Sequence, residues 1–144
     1  MENLVEKYNQ VGSDAPEDLQ AQYHMNCAEV LLATANEAYE LNIPTDAFKL
    51  IQGFGGGFYS EKVCGAFSGA LAGLSYKYAK ERPTDQKEIK MAAKLLVEEF
   101  EKEFGTLDCD KIKAKYRDEV TACNPVKCRA GLVLERVVAK MEEA

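Results

Sequence analysis

Glycine recurs at every fourth position in one run of small residues, CGAFSGALAG at positions 64–73. Since residues four apart lie on the same face of a helix, Gly65, Gly69 and Gly73 share one face. A face without side chains lets a second backbone approach closely, so this run predicts tight helix–helix packing. The neighbour could be another helix of this chain or the same helix of a second subunit, and a homodimer therefore stays open.

Apolar residues elsewhere recur every three or four positions, which is typical of amphipathic helices, and no stretch shows a convincing strand pattern. The sequence therefore predicts an all-α protein, with one compact domain of about six helices over residues 1–144. Proline, glycine and capping residues mark the helix ends, and Pro83 and Thr84 are expected to end the third helix. The six expected helices run from Pro16 to Leu41, Pro44 to Phe54, Ser60 to Tyr78, Ile89 to Phe104, Asp108 to Tyr116 and Asn124 to Met141.

Composition excludes several function classes. The net charge of −6 argues against a nucleic-acid-binding protein, which would carry a basic face. No apolar run approaches the roughly 20 residues of a membrane span, and residues 1–7 are too charged for a signal peptide. We therefore expect a cytoplasmic protein with reduced thiols, which agrees with an odd count of five cysteines.

The glycine-rich stretch at residues 53–57 does not predict a nucleotide site. A dinucleotide-binding motif needs a preceding strand, and a phosphate-binding loop ends in Gly-Lys-Ser/Thr. Lys62 lies five residues after Gly57 and is not followed by Ser or Thr. We expect a tight loop in which backbone amides approach a sulfur atom or a ligand, and no nucleotide cofactor.

The five cysteines carry the main chemical signal. Cys64, Cys109 and Cys128 fall where predicted helices begin, and helix N-termini stabilise thiolates and other anions. Cys27 lies on an apolar stripe, where a buried inert thiol is the default. An anionic [2Fe–2S] cluster would gain from the same helix termini, although the spacing of the cysteines matches no common ferredoxin.

An early cysteine, the motif Cys64-Gly65-Ala66-Phe67-Ser68-Gly69 and two later cysteines occur in the order of a known family pattern. Over roughly residues 20–140 the chain resembles the C_GCAxxG_C_C family, whose members are described as redox-active and include apparent selenoproteins. The resemblance implies that the family cysteines are Cys27, Cys64, Cys109 and Cys128. Cys123 lies outside the aligned pattern and is expected to be dispensable, although it could take the place of Cys128.

A related domain occurs in split-Soret cytochromes, where an iron–sulfur centre has been assigned. The resemblance therefore implies an iron–sulfur cluster as the cofactor. The chain has no Cys-x-x-Cys-His motif, so no covalent haem is expected.

Three function classes remain open. The first is an electron-transfer or redox-sensing protein that binds an iron–sulfur cluster through the four family cysteines and serves an unidentified redox partner. The second is a thiol–disulfide oxidoreductase with Cys64 as the nucleophile. The third is a structural zinc domain or a helical interaction module. The first is favoured because a dithiol does not explain four sulfurs. His24, three residues before Cys27, could act as a base or a ligand, but a structurally neutral role is expected.

Overall fold

The computed structural model of the chain describes residues 1–82 and 85–143, without the side chain of Ala21. Over these residues it contains seven α-helices and no β-strand, which confirms the all-α class, with one helix more than expected. The expected break at Pro83 and Thr84 lies outside the described residues. The helices are α1 (Glu2–Asn9), α2 (Gln20–Tyr23), α3 (Cys27–Ala38), α4 (Gly65–Tyr78), α5 (Lys87–Phe104), α6 (Cys109–Tyr116) and α7 (Asn124–Glu143).

Helix α4 packs against α3, α5 and α7, and its glycine face meets α3. A Cβ atom placed on Gly69 would collide with the carbonyl oxygen of Ala28, and one on Gly73 would lie 2.6 Å from the Cβ of Ala35. The predicted close packing is therefore confirmed, and the partner is a helix of the same chain.

The core between these helices consists of large side chains that have almost no contact with solvent. Phe100, Leu31, Leu74, Leu96 and Leu134 are the bulkiest of those that are less than 2% exposed, apart from Ile112. Burial of each such side chain contributes about 1.5–3 kcal/mol. Because they come from α3, α4, α5 and α7, this burial fixes the relative positions of those four helices.

The prediction of one helix from Pro16 to Leu41 was wrong, because the structure interrupts the helix before Cys27. A short 3₁₀ turn (Glu17–Leu19) and α2 come first, and His24 is then extended, at φ −72° and ψ 132°. The Asn26 side chain accepts a hydrogen bond from the Glu29 N–H, and the Glu29 carboxylate accepts one from the Asn26 N–H. This capping box begins α3 at Cys27, so Cys27 is the first residue of a helix rather than a mid-helix residue.

The start of α4 also differs from the sequence prediction. Residues Thr45–Phe54 form a 3₁₀ helix, and Gly57–Glu61 form a turn that follows it. Ser60 lies inside this turn instead of capping α4, and Cys64 occupies the N-cap position of α4. Helix α1, which the sequence analysis did not predict, packs against α3 and α7 through the buried Val5.

None of the described helices is both long enough and apolar enough to cross a lipid bilayer.

Candidate functional site

A cavity of about 230 Å³ lies where the first residues of several helices meet, and four thiols line it. Cys27 is the first residue of α3, Cys64 precedes α4, Cys109 is the first residue of α6, and Cys123 directly precedes α7. We call this space the cysteine cavity. Segments that are far apart in the sequence therefore bring four sulfur atoms around one space.

Cys27 is held in the wall of the cavity by the glycine-rich segment. Its Sγ accepts a hydrogen bond from the Gly56 N–H at 3.3 Å. A Cβ placed on Gly65 would collide with the same sulfur, so the glycine at that position of α4 makes room for it. The loop predicted to bring backbone amides close to a sulfur atom is thereby confirmed.

The turn beside the cavity has an unusual backbone. Gly56 and Gly57 have φ values of 57° and 65°, and Phe58, Tyr59 and Glu61 also have positive φ values. The left-handed conformation costs a non-glycine residue roughly 1–2 kcal/mol, so three such residues need support from their surroundings. A neighbouring side chain supplies part of it, because the Asn26 Nδ2 donates to the Tyr59 hydroxyl at 3.0 Å and to the Gln52 carbonyl at 2.9 Å.

Cys64 and Cys109 are joined through their backbones. The Cys64 N–H donates to the Leu107 carbonyl at 2.8 Å, and the Cys109 N–H donates to the Lys62 carbonyl at 2.5 Å. Between them, Val63 and Asp108 form an isolated antiparallel bridge. This pairing sets the starts of α4 and α6 side by side, with both thiols buried at 5% and 6% exposure.

Burial keeps both of these thiols in the protonated form when no metal is bound. It raises the pKa of Cys64 to about 12, against the opposing effect of the Phe67 and Ala66 backbone N–H groups, and Cys27 raises it further. Burial also raises the pKa of Cys109, while the Lys113 ammonium acts in the opposite direction. A metal ion that bound these sulfurs would have to displace their protons.

The lining also contains three cationic side chains, Lys113, Arg117 and Lys127, alongside apolar residues and glycines. Lys113 lies near the surface and pairs with Glu61 at 2.9 Å. Lys127 is only 6% exposed, and its Nζ donates to the Asn9 side chain. Burial lowers the pKa of Lys127, whereas nearby cysteines act to raise it. Of these three cations, Lys127 is therefore the one that is buried beside the thiols.

Of the four family cysteines, the structure brings Cys27, Cys64 and Cys109 together around this cavity, whereas Cys128 is not part of its lining. It lies on α7 towards α1, and its thiol contacts the Glu6 carboxylate at 3.5 Å. Burial, followed by the hydrogen bond to Glu6, raises the pKa of Cys128 to about 11. Lys127 faces the cavity, so Cys128, the next residue of α7, points about 100° away from it. Cys123, expected to be dispensable, stands at the cavity instead.

His24 is also absent from the cysteine cavity. It lines a separate surface pocket together with Asn9 and Gln20, and burial and the Lys127 charge lower its pKa. His24 is therefore not placed to act as a base for the cavity thiols or as a ligand beside them.

Within residues 1–82 and 85–143, no group of three or more Cys, His, Asp or Glu side chains is arranged to hold a metal ion. The four thiols line the wall of a space instead of meeting at one point.

A family model described as "Putative redox-active protein (C_GCAxxG_C_C)" matches residues 25–144 of the chain. The matched range contains all five cysteines and every residue that lines the cysteine cavity. None of the curated proteins and none of the solved structures matches the chain. The match confirms the resemblance drawn from the cysteine pattern.

Proposed function

Because the chain belongs to the C_GCAxxG_C_C family of redox-active proteins, we propose that it holds an iron–sulfur cluster of the [2Fe–2S] type in the cysteine cavity. The ligands in this proposal are Cys27, Cys64, Cys109 and Cys123. The observation that carries it is the convergence of four thiols from four separate segments on one cavity. The protein would then act in electron transfer or redox sensing.

The donor set and its surroundings fit such a cluster. Four thiolates are the usual ligands of a [2Fe–2S] centre, which carries a net negative charge. The backbone N–H groups of Ala66 and Phe67 at the start of α4 interact with the Cys64 sulfur, and the Gly56 N–H donates to the Cys27 sulfur. Lys127 adds a buried positive charge.

The size of the cavity also favours a cluster over a single zinc ion. A volume of about 230 Å³ far exceeds the roughly 10–15 Å³ that one water molecule needs, so a group of several atoms fits. A structural zinc ion needs its sulfur ligands at about 2.3 Å from one point. Among the described side chains no three or more are arranged around one point, so the thiols would have to move closer together to bind either a zinc ion or a cluster.

The thiol–disulfide alternative, with Cys64 as nucleophile, has less support. A nucleophilic thiol has to meet its substrate and ionise, but Cys64 is 5% exposed and burial raises its pKa to about 12. Cys27 and Cys123 are half-buried and therefore more accessible, but neither is the first residue of the Cys-Gly-Ala-x-x-Gly motif.

When bound, such a cluster supplies one-electron transfer: it takes an electron from a one-electron donor and passes it to an acceptor. The chain itself supplies the thiolates, keeps water from two of them by burial, and fixes their spacing through the paired segments at residues 62–64 and 107–109. Arg117 lines the cavity and is exposed to solvent, so a redox partner would approach on that side.

Anaerobic reconstitution of the protein with ferrous iron and sulfide tests this proposal. We expect a coloured protein with about two iron and two sulfide per chain, and colour that is lost in Cys64→Ser and Cys109→Ser. Matched samples with zinc alone distinguish the zinc alternative, because zinc binding would give no visible absorption. A protein that stays colourless and iron-free, and whose Cys64 reacts fastest with iodoacetamide, would replace the proposal with the oxidoreductase.

A further inference from the structure

We propose that a second copy of this chain binds at an apolar groove between the 3₁₀ helix Thr45–Phe54 and α4, so that the protein forms a symmetric homodimer. The inference goes beyond the proposed function and does not depend on it. Among the described residues, the groove and the cysteine cavity have no lining residue in common. The glycine face of α4, where a second subunit could have packed, is already occupied by α3.

The apolar groove has a volume of about 780 Å³, and its floor is continuous with the protein core. Leu32, Ile43 and Ile51 form this floor, and all three are buried. The walls are exposed instead: Leu50 on the 3₁₀ helix is 81% exposed, and Tyr76 on α4 is 50% exposed. Water therefore reaches apolar surface that lies directly against the core.

Exposed apolar side chains continue past the groove. Phe54 lines it, and the Phe54 ring meets the Phe58 ring edge-on, with 5.6 Å between the ring centroids. Both rings are exposed, so they extend the apolar surface formed by Leu50 and Tyr76. Soluble monomers rarely expose large contiguous apolar patches, and such patches commonly mark sites of protein interaction.

The exposure of the walls favours a protein over a small molecule as the occupant. Pockets for small ligands bury most of the surface of the molecule that they hold. The Leu50 side chain projects into solvent at the edge of the groove and would leave a small ligand uncovered on that side. A second folded surface could cover the groove and Leu50 together.

The shape of this surface fits a second copy of the same chain. In a two-fold symmetric contact the same patch serves on both subunits, so a projecting side chain and a recess have to lie side by side on each. Leu50 is the projecting side chain, and the groove beside it is the recess. In the proposed dimer, Leu50 of each copy enters the groove of the other, which removes both apolar surfaces from water.

The charges around the groove also favour a second copy. The chain has a net charge of −6, so two copies carry like net charges. At the groove, however, cations and anions are balanced: Asp46 and Lys49 form an ion pair at 2.8 Å on the 3₁₀ helix, and Lys80 and Glu81 line the groove itself. Such a patch can meet its own copy without net repulsion, whereas a strongly charged partner would find no complementary charge there.

Sedimentation velocity of the purified chain tests this proposal, with a reductant present so that no disulfide links two copies. Measurement between about 5 and 500 μM covers dissociation constants from tight to weak. We expect the mass to rise with concentration from 16.0 kDa to twice that value. Leu50→Glu places a charge in the contact of both copies and should raise the dissociation constant at least about 100-fold. Tyr76→Glu, on the opposite wall, should act in the same direction.

Val120→Glu is the matched control. Val120 is 91% exposed in the turn between α6 and α7, does not line the groove, and its substitution adds the same charge as Leu50→Glu. This variant should dimerise like the parent. Circular dichroism establishes that each variant folds, which is expected because all three side chains are exposed.

Each of the other results overturns the proposal. A parent that remains at 16.0 kDa up to the highest concentration does so. If that monomer binds the apolar dye anilinonaphthalenesulfonate, and Leu50→Glu and Tyr76→Glu do not, the groove holds a small apolar molecule instead of a second copy. A dimer that Leu50→Glu leaves intact, or that Val120→Glu weakens equally, uses another surface. Iron is absent from these measurements, so failure of the cluster proposal leaves their outcome unchanged.

Discussion

The contact between α3 and α4 predicts a large effect from the smallest possible substitution, Gly69→Ala. A Cβ at this position would lie 2.9 Å from both the carbonyl carbon and the Cα of Ala28, and closer still to its carbonyl oxygen. All three atoms belong to the backbone of a fully buried residue, so no side chain can rotate away to make room. The two helices must move apart, and Cys27 moves with Ala28.

The expected cost follows from two opposing contributions. Overpacking of a buried contact costs about 1–3 kcal/mol, and the upper end applies because the clash involves only backbone atoms. Alanine is favoured over glycine inside a helix by about 1 kcal/mol, which offsets part of this cost. The free energy of unfolding should therefore fall by about 2 kcal/mol, which for a chain of this length lowers the Tm by roughly 4–8 °C.

Thermal and urea unfolding followed by circular dichroism measures this change. Gly53→Ala is the matched control, because Gly53 is exposed in a 3₁₀ helix and a Cβ there meets no atom within 4 Å. That variant should be as stable as the parent or slightly more stable. If Gly69→Ala were also as stable as the parent, the close packing of α4 on α3 would be refuted.

Three further outcomes follow from the structure. Asn26→Ala should lower the free energy of unfolding by about 1–2 kcal/mol in urea titrations, because it removes the α3 cap; an unchanged urea midpoint would contradict the cap. The hydrogen bond from Lys140 holds the pKa of Glu99 below its usual range, so stability that is present at neutral pH should fall as the pH drops through that lowered pKa. Urea titrations at several pH values should show a weaker fall in Glu99→Gln, and an equal pH dependence in both proteins would refute this. Gly65→Ala should reduce iron incorporation, measured per chain after reconstitution, because the added Cβ displaces the Cys27 sulfur; full incorporation would show that the contact is dispensable.

The fold class and the glycine face could be predicted from the sequence because both depend on local periodicity. The break before Cys27 could not be predicted from periodicity, since apolar residues keep the helical spacing across it. The available signal was Asn26 followed three residues later by Glu29, which is a capping box. With that signal, Cys27 would have been expected at a helix start like Cys64 and Cys109.

The composition of the cysteine cavity depends on contacts between distant segments. The backbone pairing of residues 62–64 with 107–109 has no local signature, and it is what sets Cys64 beside Cys109. The choice between Cys123 and Cys128 depends on which side of α7 faces the cavity, which spacing alone does not determine. Lys127 looks in the sequence like an ordinary surface lysine, and only the tertiary structure buries it.

The iron content of two serine variants after anaerobic reconstitution tests the central claim most directly. Both variants remove one cysteine from the start of the same helix region, so each serves as the control for the other. The structure predicts that Cys128→Ser keeps the iron, sulfide and visible spectrum of the parent, because Cys128 contacts Glu6 outside the cavity. Cys123→Ser should lose all three. Retention in Cys123→Ser together with loss in Cys128→Ser would contradict the proposed ligand set and restore the assignment expected from the family pattern.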